Sequence, residues 1–513
     1  MDATTFTSND LAAAAAIGAL GAAGFEVGPA KAVVRTLLDT FDGRLHAAGL
    51  RLEMHQAGAS ELVLRGAGVA DAHVASEGAQ PRLAADLPPG PLRARLTPLL
   101  DVRALVPVLT VRARARTAVR RDHAGKGRVS VVVSERLSVD GASAPAFDWA
   151  AEVEALPGYP KDTTRARELL SSIGLARTDG DVVDALAYAL DIDLAGFKGS
   201  PTVPLDPYGD ALDAFRKVLA NLAAAIDANR PGTIDDVDPE FLHDLRVAVR
   251  RTRSVLTEGK GVLPADVRKE FRAGFGWLGR TTGPARDLDV YVIEWADYVA
   301  PLGPEGASAL GPVLDDIVAR RAAEHTALAK VLESAQYRRL LTGWHRWLSR
   351  ESVDRSAKDA SRDIATVATA RIGRAQAQVL DRGRSIGPDT PAEVLHELRK
   401  DAKTLRYLLE CLGGLYAPGP RKTFVQRLKA LQDNLGEHQD TEVHVAQLRD
   451  MSRKLHASVS ADALVAMGRL TEHLEGRRRA ARAEFAERFA AYDTGKTELA
   501  LHALLRSAGG RQR

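Results

Sequence analysis

A basic helix occurs twice in this chain, and the duplication limits what the chain can fold into. HDLRVAVRRTR, from His243 to Arg253, returns as HELRKDAKTLR, from His396 to Arg406, at an offset of 153 residues (396 − 243). The same offset relates LGRTTGPARDLDVYV (Leu278 to Val292) to LQDNLGEHQDTEVHV (Leu431 to Val445) without a gap. At about 100° per residue, His243, Arg246, Val247, Arg250 and Arg253 share one helix face. Leu245, Ala248, Val249, Thr252 and Leu256 take the other face. In the second copy His396, Arg399, Lys400, Lys403 and Arg406 oppose Leu398, Ala402, Leu405 and Leu409. The apolar sides predict packing into a bundle and the cationic sides an outward face. A repeat that keeps one face cationic predicts a pseudo-symmetric domain built around an anion.

A solvated helix face is the common fate of such charges, but solubility does not require the same cation spacing in both halves. If the copies face each other, their basic faces line one groove. Arginine offers a planar fork of donors and lysine a compact point charge, so a row of both suits a repeating phosphate chain better than a single carboxylate. Lys269, Arg272 and Arg280 lie on a helical stretch before Gly283-Pro284, and the second copy carries Lys422, Arg427 and Lys429. Asp287 and Asp440 match across the repeat, which predicts carboxylates that orient a basic side chain or cap a helix. Metal ligation by Asp287 and Asp289 is the alternative. The two histidines have three readings, in order of preference: hydrogen-bonding groups that hold the helices in register, phosphate donors, and metal ligands or a base.

These residues resemble the CHAD domain, the conserved-histidine α-helical domain, over about residues 206–506. The resemblance implies an all-α fold of two pseudo-symmetric helical bundles that binds inorganic polyphosphate in a basic central channel. It places His243, Arg246, Arg250 and Arg253 on one wall and His396, Arg399, Lys400, Lys403 and Arg406 on the other. Lys269, Arg272, Arg280, Lys422 and Lys429 become flanking contacts. No cofactor is implied there, and recruitment to cytoplasmic polyphosphate granules is the expected consequence.

The first 200 residues read differently. AVVRTLLDT, LRLEMHQ, SELVLRG, PVLTVRARARTAV and RVSVVVSERLSVDG alternate at period two, with a hairpin turn at His123 to Gly127. Helices are expected at residues 9–23, 164–173 and 182–190. Arg103, Arg112, Arg114 and Arg116 are expected to put several cations on one strand face. The segments LLDTFDGRLHAAGLRLE, SERLSVDG and EVEAL, with Arg103 and residues 111–116, resemble the CYTH domain, the triphosphate tunnel metalloenzyme fold. That resemblance implies a closed antiparallel tunnel of eight strands, inward glutamates on a divalent metal, and basic residues on a triphosphate. The family's opening Glu-x-Glu-x-Lys strand is absent before Lys31, where Glu26 is the only glutamate. Metal-assisted phosphoryl chemistry needs several converging oxygen ligands. The expectation is therefore a degenerate tunnel. The alternative is a triphosphatase that holds Mg2+ or Mn2+ on Glu135, Glu152 and Glu154.

The expected architecture has two domains: an α+β antiparallel β-tunnel over residues 1–195, a Gly/Pro-rich linker over 196–206, and the all-α domain over 207–506. The helical domain divides into halves at about 207–350 and 360–506. PGTIDDVDP, residues 231–239, reads as an acidic loop, with Asp238 before Pro239 as a helix start. The net charge is only +3, so any anion site must come from local clustering. One cysteine, Cys411, excludes an intramolecular disulfide and fits a reducing cytoplasm. No apolar run reaches membrane-spanning length, and Asp2 and Asp10 without a Lys or Arg argue against a signal peptide. Nucleic acid is the third candidate ligand class, disfavoured because the basic faces carry no aromatic residue for base stacking.

Overall fold

The period-two segments of the first 200 residues form strands, and the remainder of the chain is helical. The computed structural model describes residues 4–66, 72–76, 79–142, 147–156, 158–197, 199 and 202–508. The chain divides into two compact units, residues 1–198 and 199–513.

Among its described residues the first unit is built on ten strands. They are β1 (Thr4–Thr7), β2 (Glu26–Val27), β3 (Lys31–Thr40), β4 (Leu50–Ala57), β5 (Ala59–Gly66), β6 (Ala72–Ser76), β7 (Leu105–Arg121), β8 (Gly127–Val139), β9 (Trp149–Ala155) and β10 (Ala176–Asp179). All named pairs are antiparallel, in the order β10-β1-β9-β8-β7-β3-β4-β5-β6, with β2 on β7. The β7–β8 turn is closed by Asp122, whose Oδ1 accepts the backbone N–H groups of Ala124 and Lys126 at 2.9 Å each. Gly125 supplies the left-handed residue there, at φ +77°.

One face of the sheet packs under helices Ala13–Ala22 and Pro160–Ser172 through Phe6, Ala118, Val131, Val133 and Val153. Helix Pro91–Leu100 covers Leu38, Leu52, Leu62 and Leu64. The other face curls inward. Arg35 of β3 reaches Glu53 on the adjacent β4 at 2.9 Å and also Glu152 on β9 at 3.2 Å. Three strand steps separate β3 from β9, roughly 14 Å in a flat sheet. An arginine side chain spans that gap only if the sheet folds over it. Helix Val182–Ala189 fills part of the concave face by packing on Leu37, Leu109 and Val111. Among the described residues β6 and β10 end the pairing path, so the eight-strand ring is not closed by hydrogen bonds. The structure here is an open, curled antiparallel sheet.

The second unit realises the repeat with one difference. The first copy follows its basic helix with two helices, Ala265–Thr281 and Gly283–Val299. The second copy has a single 38-residue helix, Pro418–Leu455. Pro284 explains the break: it lacks an N–H and takes an initial position of a new helix, whereas its counterpart Glu437 lets the helix continue. The halves meet about a pseudo-two-fold axis. Tyr291 and His444 occupy equivalent repeat positions (444 − 291 = 153), and their rings lie 4.9 Å apart.

One expectation about a connecting segment needs correction. Helix Ala211–Ile234 runs through the first half of the expected acidic loop. Gly232 and Thr233 are buried there; a Cβ on Gly232 would lie 2.3 Å from the Phe241 ring. Packing against the next helix outweighs Pro231. In the expected linker, Val203 is buried, and the Thr202 hydroxyl donates to the Glu410 carbonyl at 3.1 Å. The end of that segment is therefore fixed to the second unit.

Candidate basic cleft

Asp238 caps the first basic helix, Pro239–Glu258, and accepts the backbone N–H groups of Glu240 and Phe241 at 2.9 and 3.3 Å. Leu242, Leu245, Val249 and Leu256 bury its apolar stripe. The second basic helix, Ala392–Cys411, buries Leu398, Ala402, Leu405 and Leu409 in the same way. Glu410 ties the two together. Its carboxylate accepts from Arg251 of the first helix at 2.7 Å and from Arg406 of its own helix at 2.7 Å.

Between these helices lies a cleft of about 530 Å³. Arg250, Arg253, Ser254, Thr257, Glu258 and Arg272 come from the first half, and Lys400, Lys403, Thr404 and Tyr407 from the second. Arg250 and Lys403 are repeat equivalents, as are Ser254 and Tyr407, each pair 153 residues apart. Equivalent side chains that meet in one cleft are what a two-fold axis requires. Five cations face one carboxylate, a local net charge of about +4 (5 − 1) inside a chain whose total is +3. Burial, reinforced by Arg399 and Arg250, pushes the Lys403 ammonium down to about 8. That lysine is charged at neutral pH and has room to gain from an anion.

The other expected contacts are distributed around this cleft. Arg246 is half-buried and donates to the Gly279 carbonyl at 3.1 Å and to the Thr282 hydroxyl at 2.9 Å. Burial lowers its pKa, with Asp287 opposing. At the equivalent place in the second copy, Arg399 pairs with Asp440 at 2.9 Å. Asp440 thus orients a basic side chain. His396 Nδ1 lies 2.5 Å from Gln439 Oε1, and His243 is half-buried on its helix. Lys400 also pairs with Glu397 at 2.7 Å on the exposed rim. Lys269, Arg272, Arg280, Lys422 and Lys429 are exposed, and only Arg272 of these lines the cleft.

Three readings are corrected. Asp289 is not a metal ligand: it is buried and bound by Arg321 at 2.7 Å and His325 at 3.0 Å. Tyr407 lines the cleft, so the basic surface does carry an aromatic ring. Its signal was available, because Tyr407 stands one turn beyond Lys403 on the same stripe; Thr404 follows Lys400 and Ser254 follows Arg250 likewise. The alternative metal set Glu135, Glu152 and Glu154 does not converge. Glu152 pairs in register with Val132, which puts it and Glu154 on the concave face. Glu135 lies on the opposite face, where Arg116 donates to it at 3.2 Å. Arg112 is likewise outside, paired with Asp140 at 2.9 Å. Among the described residues no group of three or more His, Cys, Asp or Glu is arranged to hold a metal ion. None of the described helices is long and apolar enough to cross a membrane.

A second cleft, of about 490 Å³, is lined by Arg478, Arg479 and Arg482. Those guanidiniums are already engaged, by Glu475, by Glu472 and by the carbonyls of Gly387, Pro388 and Thr390. It is a weaker candidate for a polyanion.

Residues 217–449 match the family model of the CHAD domain. The chain is 29% identical over 213 residues to an uncharacterized protein of Mycobacterium tuberculosis, strain CDC 1551 / Oshkosh. That match covers 40% of this chain and about two fifths (39%) of the relative's length. The crystal structure of the CHAD domain from the plant Ricinus communis is 26% identical, with a TM-score of 0.46, covering 61% of this chain and 98% of that one. A crystal structure of a putative adenylate cyclase from Bacillus halodurans is 14% identical, with a TM-score of 0.27, covering 35% of this chain and 96% of that one.

Proposed function

We propose that the second unit binds inorganic polyphosphate in the cleft between the two basic helices. The observation that carries this reading is the convergence of Arg250, Arg253 and Arg272 with Lys400 and Lys403 in one cleft. The CHAD match over residues 217–449 supports it. The mechanism is electrostatic: the cations replace water and counterions around successive phosphates, so affinity falls with salt and grows with chain length. Lys403 gains from the exchange, because burial with Arg399 and Arg250 nearby disfavours its charge before the anion arrives. The same cleft would carry the protein to polyphosphate granules in the cytoplasm.

Calorimetry with medium-chain polyphosphate tests the reading, with the whole chain at two salt concentrations. Salt-sensitive binding is expected, and absence of binding at low salt refutes it. Tyr407 supports a second reading, in which the cleft stacks a base of single-stranded nucleic acid. Competition decides between them: polyphosphate should displace RNA, and RNA should not displace polyphosphate.

A further inference from the structure

The resemblance of the first unit to tunnel metalloenzymes implies inward carboxylates on a divalent metal, and the residues present do not fit that group. Five carboxylates do reach the concave face, Glu154 among them, but arginine side chains occupy the other four. Arg35 Nη2 lies 2.9 Å from Glu53 and 2.6 Å from Asp181, while its Nη1 lies 3.2 Å from Glu152. Arg51 contacts Glu53 at 2.5 Å, Asp181 at 2.9 Å and Asp184 at 2.5 Å.

The oxygens are accounted for on both central carboxylates. Glu53 Oε1 accepts from Arg51, and Oε2 faces Arg35 and His55. Asp181 Oδ1 accepts the backbone N–H groups of Val183 and Asp184, which caps the helix that plugs the concave face. Its Oδ2 accepts from Arg35. Glu152 Oε2 also accepts the Val182 N–H at 3.0 Å. A hard cation needs free oxygens at about 2.0–2.6 Å, which these hydrogen-bonded groups do not offer. Burial would raise the Glu53 pKa, but Arg35 holds that carboxyl well below its ordinary range.

We propose that Arg35 is a tethered cation that neutralises the carboxylate cluster of the first unit in place of a divalent metal, so that this interior is assembled metal-free and closed to triphosphate. The charge count agrees. With Arg65 at 3.7 Å from Glu53, three arginines face Glu53, Glu152, Asp181 and Asp184, a formal net of about −1 (3 − 4), or −2 (3 − 5) with Glu154 on the same face. A triphosphate without metal would meet a wall of its own sign.

The test is Mn2+ uptake by the full chain, followed by electron paramagnetic resonance, with thermal melting in chelator and in millimolar Mn2+. The native protein should take up no stoichiometric Mn2+, and chelator should leave its melting unchanged. Arg35→Met should unmask the cluster: one Mn2+ bound per chain, melting raised by Mn2+, and both effects lost when Glu53→Gln is added. Arg35→Lys keeps the tethered charge and should stay metal-free; with the native protein it decides the question if Arg35→Met fails to fold. Stoichiometric Mn2+ in the native protein that Glu53→Gln removes would overturn the proposal, as would a folded Arg35→Met variant that binds none.

Discussion

Reversing Arg250 and Lys403 together probes the cleft at the pair of positions that the pseudo-two-fold axis brings face to face. The native lining carries about +4, from Arg250, Arg253, Arg272, Lys400 and Lys403 against Glu258. For a flexible single-stranded polyanion, each neutralised phosphate contributes about −0.7 to the slope of log K against log salt, so four predict about −3. A fourfold rise in salt should then weaken native binding by about 50-fold. Arg250→Glu with Lys403→Glu removes two positive charges and adds two negative ones, which takes the lining from about +4 to zero. Affinity should collapse and the residual salt slope should flatten. The fold should persist, because Arg250 is exposed and the buried stripes of both helices are untouched. Calorimetry over a salt series measures both quantities, and circular dichroism confirms the helical content. A folded double variant with native affinity and native slope would refute the argument that this cleft holds the chain.

Lys403 makes binding pH-dependent. With its pKa pushed down to about 8, below that of an ordinary lysine, the ligand-free unfolded chain holds more protons between those values. Stability therefore rises as pH climbs from about 8 toward the unfolded value, and the cost of the charged lysine is complete below pH 8. Polyphosphate restores the proton, so binding just above pH 8 should be accompanied by proton uptake, read from calorimetry in buffers of different ionisation enthalpy; Lys403→Met should abolish it. Asp289→Ala removes one of the two carboxylates that hold Arg321 and His325, with Asp236 remaining, and should cost about 1–3 kcal/mol in denaturant unfolding while any folded fraction keeps its polyphosphate affinity. Gly414→Ala tests the docked end of the linker. Its Cβ would lie 1.9 Å from the Val203 carbonyl oxygen, so the variant should lose about 1–3 kcal/mol and free residues near Val203 for proteolysis.

The difference between the two units in what could be read beforehand has a geometric cause. A helix face is set by residues three and four apart in one segment, so the stripe from Arg246 to Arg253 could be drawn from the sequence and its repeat equivalent checked against it. Even Pro284, which breaks the first copy, declares its effect locally. A sheet face is different. Alternation says that Glu152 and Glu154 share a side and that Glu135 differs from Ser134, but not which side of β8 matches which side of β9. That relation is fixed by the register Val132 opposite Glu152. Register also gathers the interior cluster: Arg35, Glu53, Glu152 and Asp181 come from four segments, and Asp181 lies 146 residues from the arginine it meets. Absence of Glu-x-Glu-x-Lys pointed to a weakened metal site, yet nothing local announced that an arginine had taken up the charge. Arg35 sits in AVVRTLLDT as an ordinary polar residue of an alternating strand. It becomes a counter-ion only when the sheet curls far enough for β9 to reach it. The same curl then makes the arginine hard to remove. Without it, Arg51 would still hold Glu53 and Asp181, but Glu152 would be left buried beside them without its counter-ion, and the sheet would have to open or recruit another cation.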